Sequence, residues 1–321
     1  MYWVLTIPTD FSIGCLLQRS APLLLPPFSV VRQQRLERVE HLSSGKTLLI
    51  SLRQIPAGLH LHSDQGLSGA EAEEVSQKVW HMLRLGENFS GFCRLLGDHP
   101  TLKRCLTSGY RFLRGSTFFE DIVKAQVLAY RNPSVLADMT CGAGHNGTEN
   151  GTRRQCLTAL IDHLGSPLAT NPTRHAFPTP EQVFAGQAKV NGVLGPALGE
   201  MVVTTAERFV EAPTTLAELL RRDVPLPAVK QTLRTFPGMS APMVGLAMLA
   251  LGRYDYFPLE SYSHVLLRHA INASNGELSK IQALFARWHP WAGLTYWLWD
   301  WQSCPLSVVL EEDIFHEKTT C

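Results

Sequence analysis

From Tyr2 to Ser63 apolar and polar residues alternate with a period close to two, broken by turn-forming residues, which is the signature of half-buried strands. The alternation predicts strands over Tyr2 to Ile7, Arg35 to Leu42, Thr47 to Arg53 and Leu59 to His62. Turns at Ser43 to Lys46 and around Pro56-Ala57-Gly58 join them into an antiparallel meander. In Leu59-His60-Leu61-His62 the leucines share one face and the histidines the other, which makes His60 and His62 surface strand residues rather than metal ligands. At Ser68 the period changes. Ser68 and Glu71 have capping-box spacing, and Val75, Val79, Met82 and Leu83 recur three and four residues apart, as on one face of a helix.

From there the pattern is helical. Amphipathic stretches cover Phe119 to Tyr130, Arg154 to Leu164, Glu181 to Ala188, Leu198 to Phe209, Thr214 to Arg222, Ala228 to Thr235, Pro242 to Leu251, Tyr262 to Ala270 and Leu278 to Trp288. The stretch between Asn132 and Thr152, rich in glycine and asparagine, reads as a mobile loop. The fold class expected is therefore α+β: an N-terminal antiparallel sheet with a flanking helix, then an all-α region.

Length and composition divide this picture further. At 321 residues, 45% hydrophobic and 18% charged, the chain has enough apolar material for two cores. The expected division is an N-terminal α+β domain over 1–110, a helical domain over 111–303 and a tail over 304–321. The net charge of +1 provides no overall positive field, so a nucleic-acid site must be a local patch. Candidate patches are Lys103/Arg104 with Arg111/Arg114, then Arg153/Arg154, and Arg221/Arg222 with Lys230 and Arg234. Seven scattered cysteines without a CxxC argue against a zinc site or a disulfide framework and fit a reducing compartment. The first residues lack a basic leader region, and no apolar run is long enough to cross a membrane. The expectation is a cytoplasmic protein, associated with the nucleoid in a bacterium or with the nucleus in a eukaryote.

Chemistry concentrates between Leu233 and His264. Pro237-Gly238-Met239-Ser240-Ala241 separates two helical stretches, with Pro242 in the first turn of the second, where its missing N–H is harmless. Such a corner presents backbone N–H groups beside a helix start and suits a phosphate, without reading base sequence.

The residues that follow, Gly252-Arg-Tyr-Asp-Tyr-Phe-Pro-Leu-Glu-Ser-Tyr-Ser-His264, resemble the loop after the hairpin in the helix-hairpin-helix (HhH-GPD) superfamily of DNA glycosylases. Other lines are similar to its alkylbase (3-methyladenine) branch: Met82-Leu-Arg-Leu85 with Phe92, Gly109 to Lys124, Phe177-Pro-Thr-Pro-Glu181, and Trp288 to Trp299. The likeness runs from about Tyr2 to Trp301. It implies a helix-hairpin-helix glycosylase core behind the N-terminal sheet and a monomer that acts on double-stranded DNA containing a damaged base.

The same resemblance implies roles. Glu260 stands where the family carries a catalytic aspartate. A carboxylate there would stabilise the oxocarbenium-like sugar and orient or deprotonate the attacking water. Residues 237–241 would grip phosphate. Tyr262, Trp288 and Trp291 are candidates for the pocket of a flipped base, and Gln126, Arg131 and Asn132 for the gap it leaves in the duplex. Ser240, Ala241, Pro242 and Met243 occupy the place where bifunctional relatives carry a Schiff-base lysine, so the activity implied is base release without strand cleavage. The four-cysteine iron–sulfur signature is missing, and no metal or cofactor is implied.

Three positions depart from the family pattern: glutamate for aspartate at 260, serine for glycine at 240 and histidine for arginine at 264. The extra methylene of Glu260 moves the carboxylate by about 1 to 1.5 Å. Serine at 240 predicts a less tightly turned hairpin, because glycine alone adopts positive φ freely. An alkylated purine, cationic and a good leaving group, is the lesion expected first and an oxidised purine second. A silent relative that binds distorted DNA without excision is the alternative.

Overall fold

A computed structural model describes residues 1–19, 24–31, 35–96, 111–131, 148–212, 218–219, 221, 223–257, 283 and 285–298. The N-terminal module contains β1 (Tyr2–Leu5), α1 (Ile13–Arg19), β2 (Phe28–Val31), β3 (Arg35–His41), β4 (Thr47–Ile55), β5 (Gly58–Ser63), α2 (Gly69–Met82) and α3 (Ser90–Leu96). The five strands form one antiparallel sheet in the order β1-β5-β4-β3-β2. The predicted meander is present as β3 to β5. β2 and α1 are additions: four residues after a proline pair, and a short helix whose apolar run shows no clean period.

Alternation works here as expected. Leu59 and Leu61 are fully buried, while His60 and His62 turn outward against the Tyr2 ring. Gly58 is required: its φ is +141°, and a Cβ would lie 2.5 Å from the carbonyl oxygen of Leu5 on the neighbouring strand. α2 begins with the predicted capping box, Ser68 Oγ accepting from Glu71 N–H and Glu71 accepting from Ser68 N–H. Its buried Val75, Val79 and Met82 close one side of a core filled by the inward leucines of the sheet, Ile13 and Leu16.

The helical part comprises α4 (Phe118–Ala129), α5 (Thr148–Leu164), α6 (Pro180–Ala185), α7 (Gln187–Leu194), α8 (Pro196–Glu211), α9 (Leu226–Arg234), α10 (Ala241–Ala250) and α11 (Ala292–Leu298). A small hairpin of β6 (Pro167–Leu168) and β7 (Asn171–His175), not foreseen from sequence, packs Leu168 and Ala176 on Val39 of the sheet. α5 starts at Thr148, so the end of the expected loop is helical. One interior glycine costs about 1 kcal/mol, and the packing of Leu157, Leu160 and Ile161 offsets it. The helix expected over Glu181 to Ala188 is instead two, divided at Gly186, where a Cβ would stand 2.4 Å from Leu164 Cδ2.

α4 runs through the centre. All twelve of its residues are buried, and it packs against α5, α8 and α10. The main core joins α4, α5, α8 and α10 to Phe89 and Phe92 of the N-terminal module and to Trp288, Tyr296 and Trp297 near the C-terminus. A second helical cluster, Val229, Leu233, Phe236, Val244 and Met248, seals α9 against α10. The helices expected over Tyr262 to Ala270 and most of Leu278 to Trp288, most of the stretch 214–222, the loop 132–147 and the tail 304–321 lie outside the described residues. Among the described residues, no helix is long and apolar enough to cross a membrane.

Candidate nucleic-acid interface

The hairpin between α9 and α10 is built by alternate burial. Phe236 is buried against Phe209, while Gly238 and Ser240 are exposed. Gly238 takes φ +63°, a left-handed conformation that reverses the chain. Met239 N–H closes the turn on the Phe236 carbonyl at 3.3 Å.

Ser240 is not the loosening element that its sequence position suggests. Its φ of −75° and ψ of 164° are ordinary extended values, and it serves as N-cap of α10. The only left-handed residue of the turn is Gly238, so nothing at 240 needs glycine. α10 opens with Ser240 as its N-cap and with Pro242, which has no N–H, in its first turn, and a helix N-terminus favours an anion. Arg208 of α8 donates to Thr235 Oγ1 at 2.8 Å and lies over the Phe236 ring, and Arg234 is exposed one residue before Thr235.

The far end of α10 is held from the N-terminal module. Arg84, buried and at φ +55°, donates through Nη2 to the carbonyls of Leu249 at 2.5 Å and Ala250 at 2.9 Å, and through Nε to Phe112 O at 2.8 Å. Its Nη1 pairs with Glu87 at 2.7 Å, and Tyr254 O–H donates to the same carboxylate. Burial acts to lower the Arg84 pKa, and the charges of Glu87 and Tyr254 outweigh it and raise it. Gly252 crosses this pair at φ +71°, and Gly293 N–H at the start of α11 donates to Tyr254 O at 2.8 Å.

The segment Arg111 to Lys124, offered by sequence partly as a basic patch, turns inward. Arg111 and Arg114 are buried, and each is paired: Arg111 reaches the exposed Asp10 and the buried Arg84 carbonyl, and Arg114 pairs with the buried Asp121 at 3.0 Å. Glu120 is gripped by Arg38 from β3 at 2.6 and 2.9 Å and by Lys124 at 2.5 Å. Burial would push the Glu120 pKa up, but Arg38 and Lys124 hold it well below the usual carboxylate range. For Asp121 burial wins over Arg114 and its pKa rises. A recess of about 50 Å³ lies where α4 and α10 meet segment 112–115, lined by Arg84, Arg114, Asp121, Leu128, Leu246 and Ala250.

Other predicted residues scatter. Gln126 is fully buried and donates to Thr205 Oγ1 at 2.8 Å, so its amide faces α8. Arg131 is exposed at φ +51°, its guanidinium over Tyr130. Trp288 is buried against Phe285, and Trp291 packs among Phe89, Phe92 and Tyr254. Arg153 lies over Tyr130, Arg154 donates to Leu24 O, and Arg221 is paired with Asp223. Glu260, Tyr262, His264, Asn132, Lys103, Arg104 and Arg222 lie outside the described residues. Among the described residues no group of His, Cys, Asp and Glu is arranged to hold a metal. The burial of Arg84 was not foreseen, although a lone arginine inside the apolar run Met82-Leu-Arg-Leu85 is itself a sign of a buried, paired cation.

No protein-family model and no curated protein sequence matches the chain. Solved structures do. A 3-methyladenine DNA-glycosylase from Archaeoglobus fulgidus superposes with a TM-score of 0.66 at 18% identity, over 93% of this chain and 98% of that one. The apo form of an 8-oxoguanine glycosylase/lyase from Clostridium acetobutylicum gives 0.57 at 13% identity, over 85% and 98%. A structure of MBOgg1 in complex with a low-affinity DNA ligand gives 0.58 at 14%, over 84% and 96%. The chain thus shares the α+β fold of these DNA glycosylases over most of its length.

Proposed function

We propose that this protein is a DNA glycosylase: it binds duplex DNA through the 237–241 hairpin, takes a flipped damaged base and hydrolyses its N-glycosidic bond. The observation that carries the reading is the hairpin itself, an exposed Gly238 turn feeding the N-terminus of α10 within a fold shared with DNA glycosylases. That arrangement holds phosphate without regard to sequence, as an enzyme scanning for damage requires.

Glu260, ten positions beyond the end of α10 in sequence, is the carboxylate assigned to the chemistry. Residues 240–243 carry no amine, which supports base release that leaves an intact abasic strand. An alkylated purine is the first substrate proposed, since its positive charge makes it a good leaving group, and an oxidised purine the second. The glutamate at 260 favours one other reading, a relative that binds distorted DNA without excision.

The test is a panel of duplexes carrying 3-methyladenine, hypoxanthine or 8-oxoguanine, incubated with the protein and then cleaved with alkali. Excision above a Glu260→Gln control is expected on at least one lesion, and strand breaks before alkali would refute the monofunctional assignment. Breaks no higher than the control on every lesion leave the binding-only reading. Higher activity in Glu260→Asp would mark a site damaged by the longer side chain.

A further inference from the structure

We infer that Arg84 is a positioning residue for the reaction: by clamping the exit of α10 it fixes the path of the chain toward Glu260, an inference that rests on the role given to Glu260 above. The last carbonyls of a helix have no intrahelical partner. In α10 these include Leu249 and Ala250, and Arg84, from a part of the chain 165 residues earlier, occupies both with one Nη2.

The clamp extends past the helix. A Cβ on Gly252 would come within 2.9 Å of Glu87 Oε1 and 3.2 Å of Arg84 Nη1, so the backbone there lies directly on the ion pair. Two residues later Tyr254 O–H is tied to Glu87. Between residues 249 and 254 the chain is therefore held three times by one pair of side chains, six positions before Glu260. Arg84 itself sits at φ +55°, unfavourable for a residue with a long side chain, and its guanidinium makes four hydrogen bonds from there only because Phe112, Glu87 and α10 converge on it. A carboxylate displaced by about 1 Å loses about a hundredfold in rate, so a loosened exit acts on catalysis before it acts on binding.

Two measurements on the full chain test this, with Arg84→Lys, which keeps the charge but not the fork, and the milder Tyr254→Phe. Hydrogen exchange of the amides at 251–257 is expected to quicken in both variants while that at 236–241 is unchanged. Exchange at 251–257 equal to wild type in both would overturn the inference whether or not the protein excises anything. In single-turnover excision, Arg84→Lys is expected to slow the rate about 10- to 100-fold and Tyr254→Phe about threefold, with affinity for an abasic-analogue duplex within twofold of wild type. Parallel loss of affinity and rate would make Arg84 a plain structural residue and overturn it. If wild type itself excises no lesion while the exchange result holds, it is the glycosylase reading that fails and the clamp that stands.

Discussion

Helices α4 and α10 pack against each other in the middle of the molecule, and both are almost wholly buried, but they are secured in different ways. α4 carries Glu120, Asp121, Lys124 and Gln126 into the interior and matches each with a partner on another segment or on α4 itself. α10 has no ionisable side chain. It is fixed at its two ends, by the Gly238 turn and Ser240 cap at one and by Arg84 at the other. The side chains of α4 are thus spent on holding the molecule together, whereas the polar groups of α10 are its backbone termini, one at the exposed hairpin and one held by Arg84.

The largest expected effect is on α4. Glu120→Ala leaves Arg38 and Lys124 buried without their carboxylate and should cost about 3 to 5 kcal/mol, read as a fall in the urea midpoint at unchanged slope. A loss below about 1 kcal/mol would mean that the network is not what secures this helix. His81 of α2 sharpens the comparison, since it lies near Arg114 and Arg84 on one hand and Glu120 on the other. Burial, then the two arginines, lower its pKa from 6.5 to about 3. The unfolded chain therefore binds a proton that the folded one refuses, and stability is full above about pH 6.5 and declines as pH falls toward 3. Between pH 8 and 5 the wild type should lose about 2 kcal/mol by this route, and His81→Phe should flatten the decline. Equal slopes in the two proteins would refute it.

Smaller effects belong to α10. Gly238→Ala forces a Cβ into the left-handed region at a cost of about 1 to 2 kcal/mol, and Met201 Cε, 2.2 Å from that Cβ, must move aside. Affinity for undamaged duplex, followed by fluorescence anisotropy, should weaken about tenfold, equivalent to about 1.4 kcal/mol. Ser240→Gly should change stability by only a few tenths of a kcal/mol, because glycine is an acceptable N-cap. A drop comparable to that of Gly238→Ala would restore the idea that position 240 controls the turn.

Local features were legible in the sequence and distant ones were not. The capping pair Ser68/Glu71 depends on residues three apart, and the helix it opens begins where the spacing places it. Arg111 and Glu120 were equally visible, but their inward orientation depends on Asp10 and Arg38, about a hundred and about eighty positions away, which no local period encodes. The burial of Gln126 was hidden for the same reason: its partner Thr205 is 79 residues on. β2 escaped because two prolines precede a strand of four residues, too short for alternation to register. The hairpin was readable as a Pro-Gly corner, yet only backbone angles separate the glycine that must be left-handed from the serine that need not be.

The 165-residue separation between Arg84 and Leu249 also has a temporal side. At about 5 to 20 residues per second of synthesis, α10 leaves the ribosome roughly ten to thirty seconds after Arg84. Through that interval the sheet and α2 can assemble from segments already made, while the guanidinium waits beside Glu87 for carbonyls that do not yet exist. The N-terminal module is thus completed only by the arrival of the helix it will hold, so a nascent chain arrested before residue 249 should leave the turn around Arg84 open.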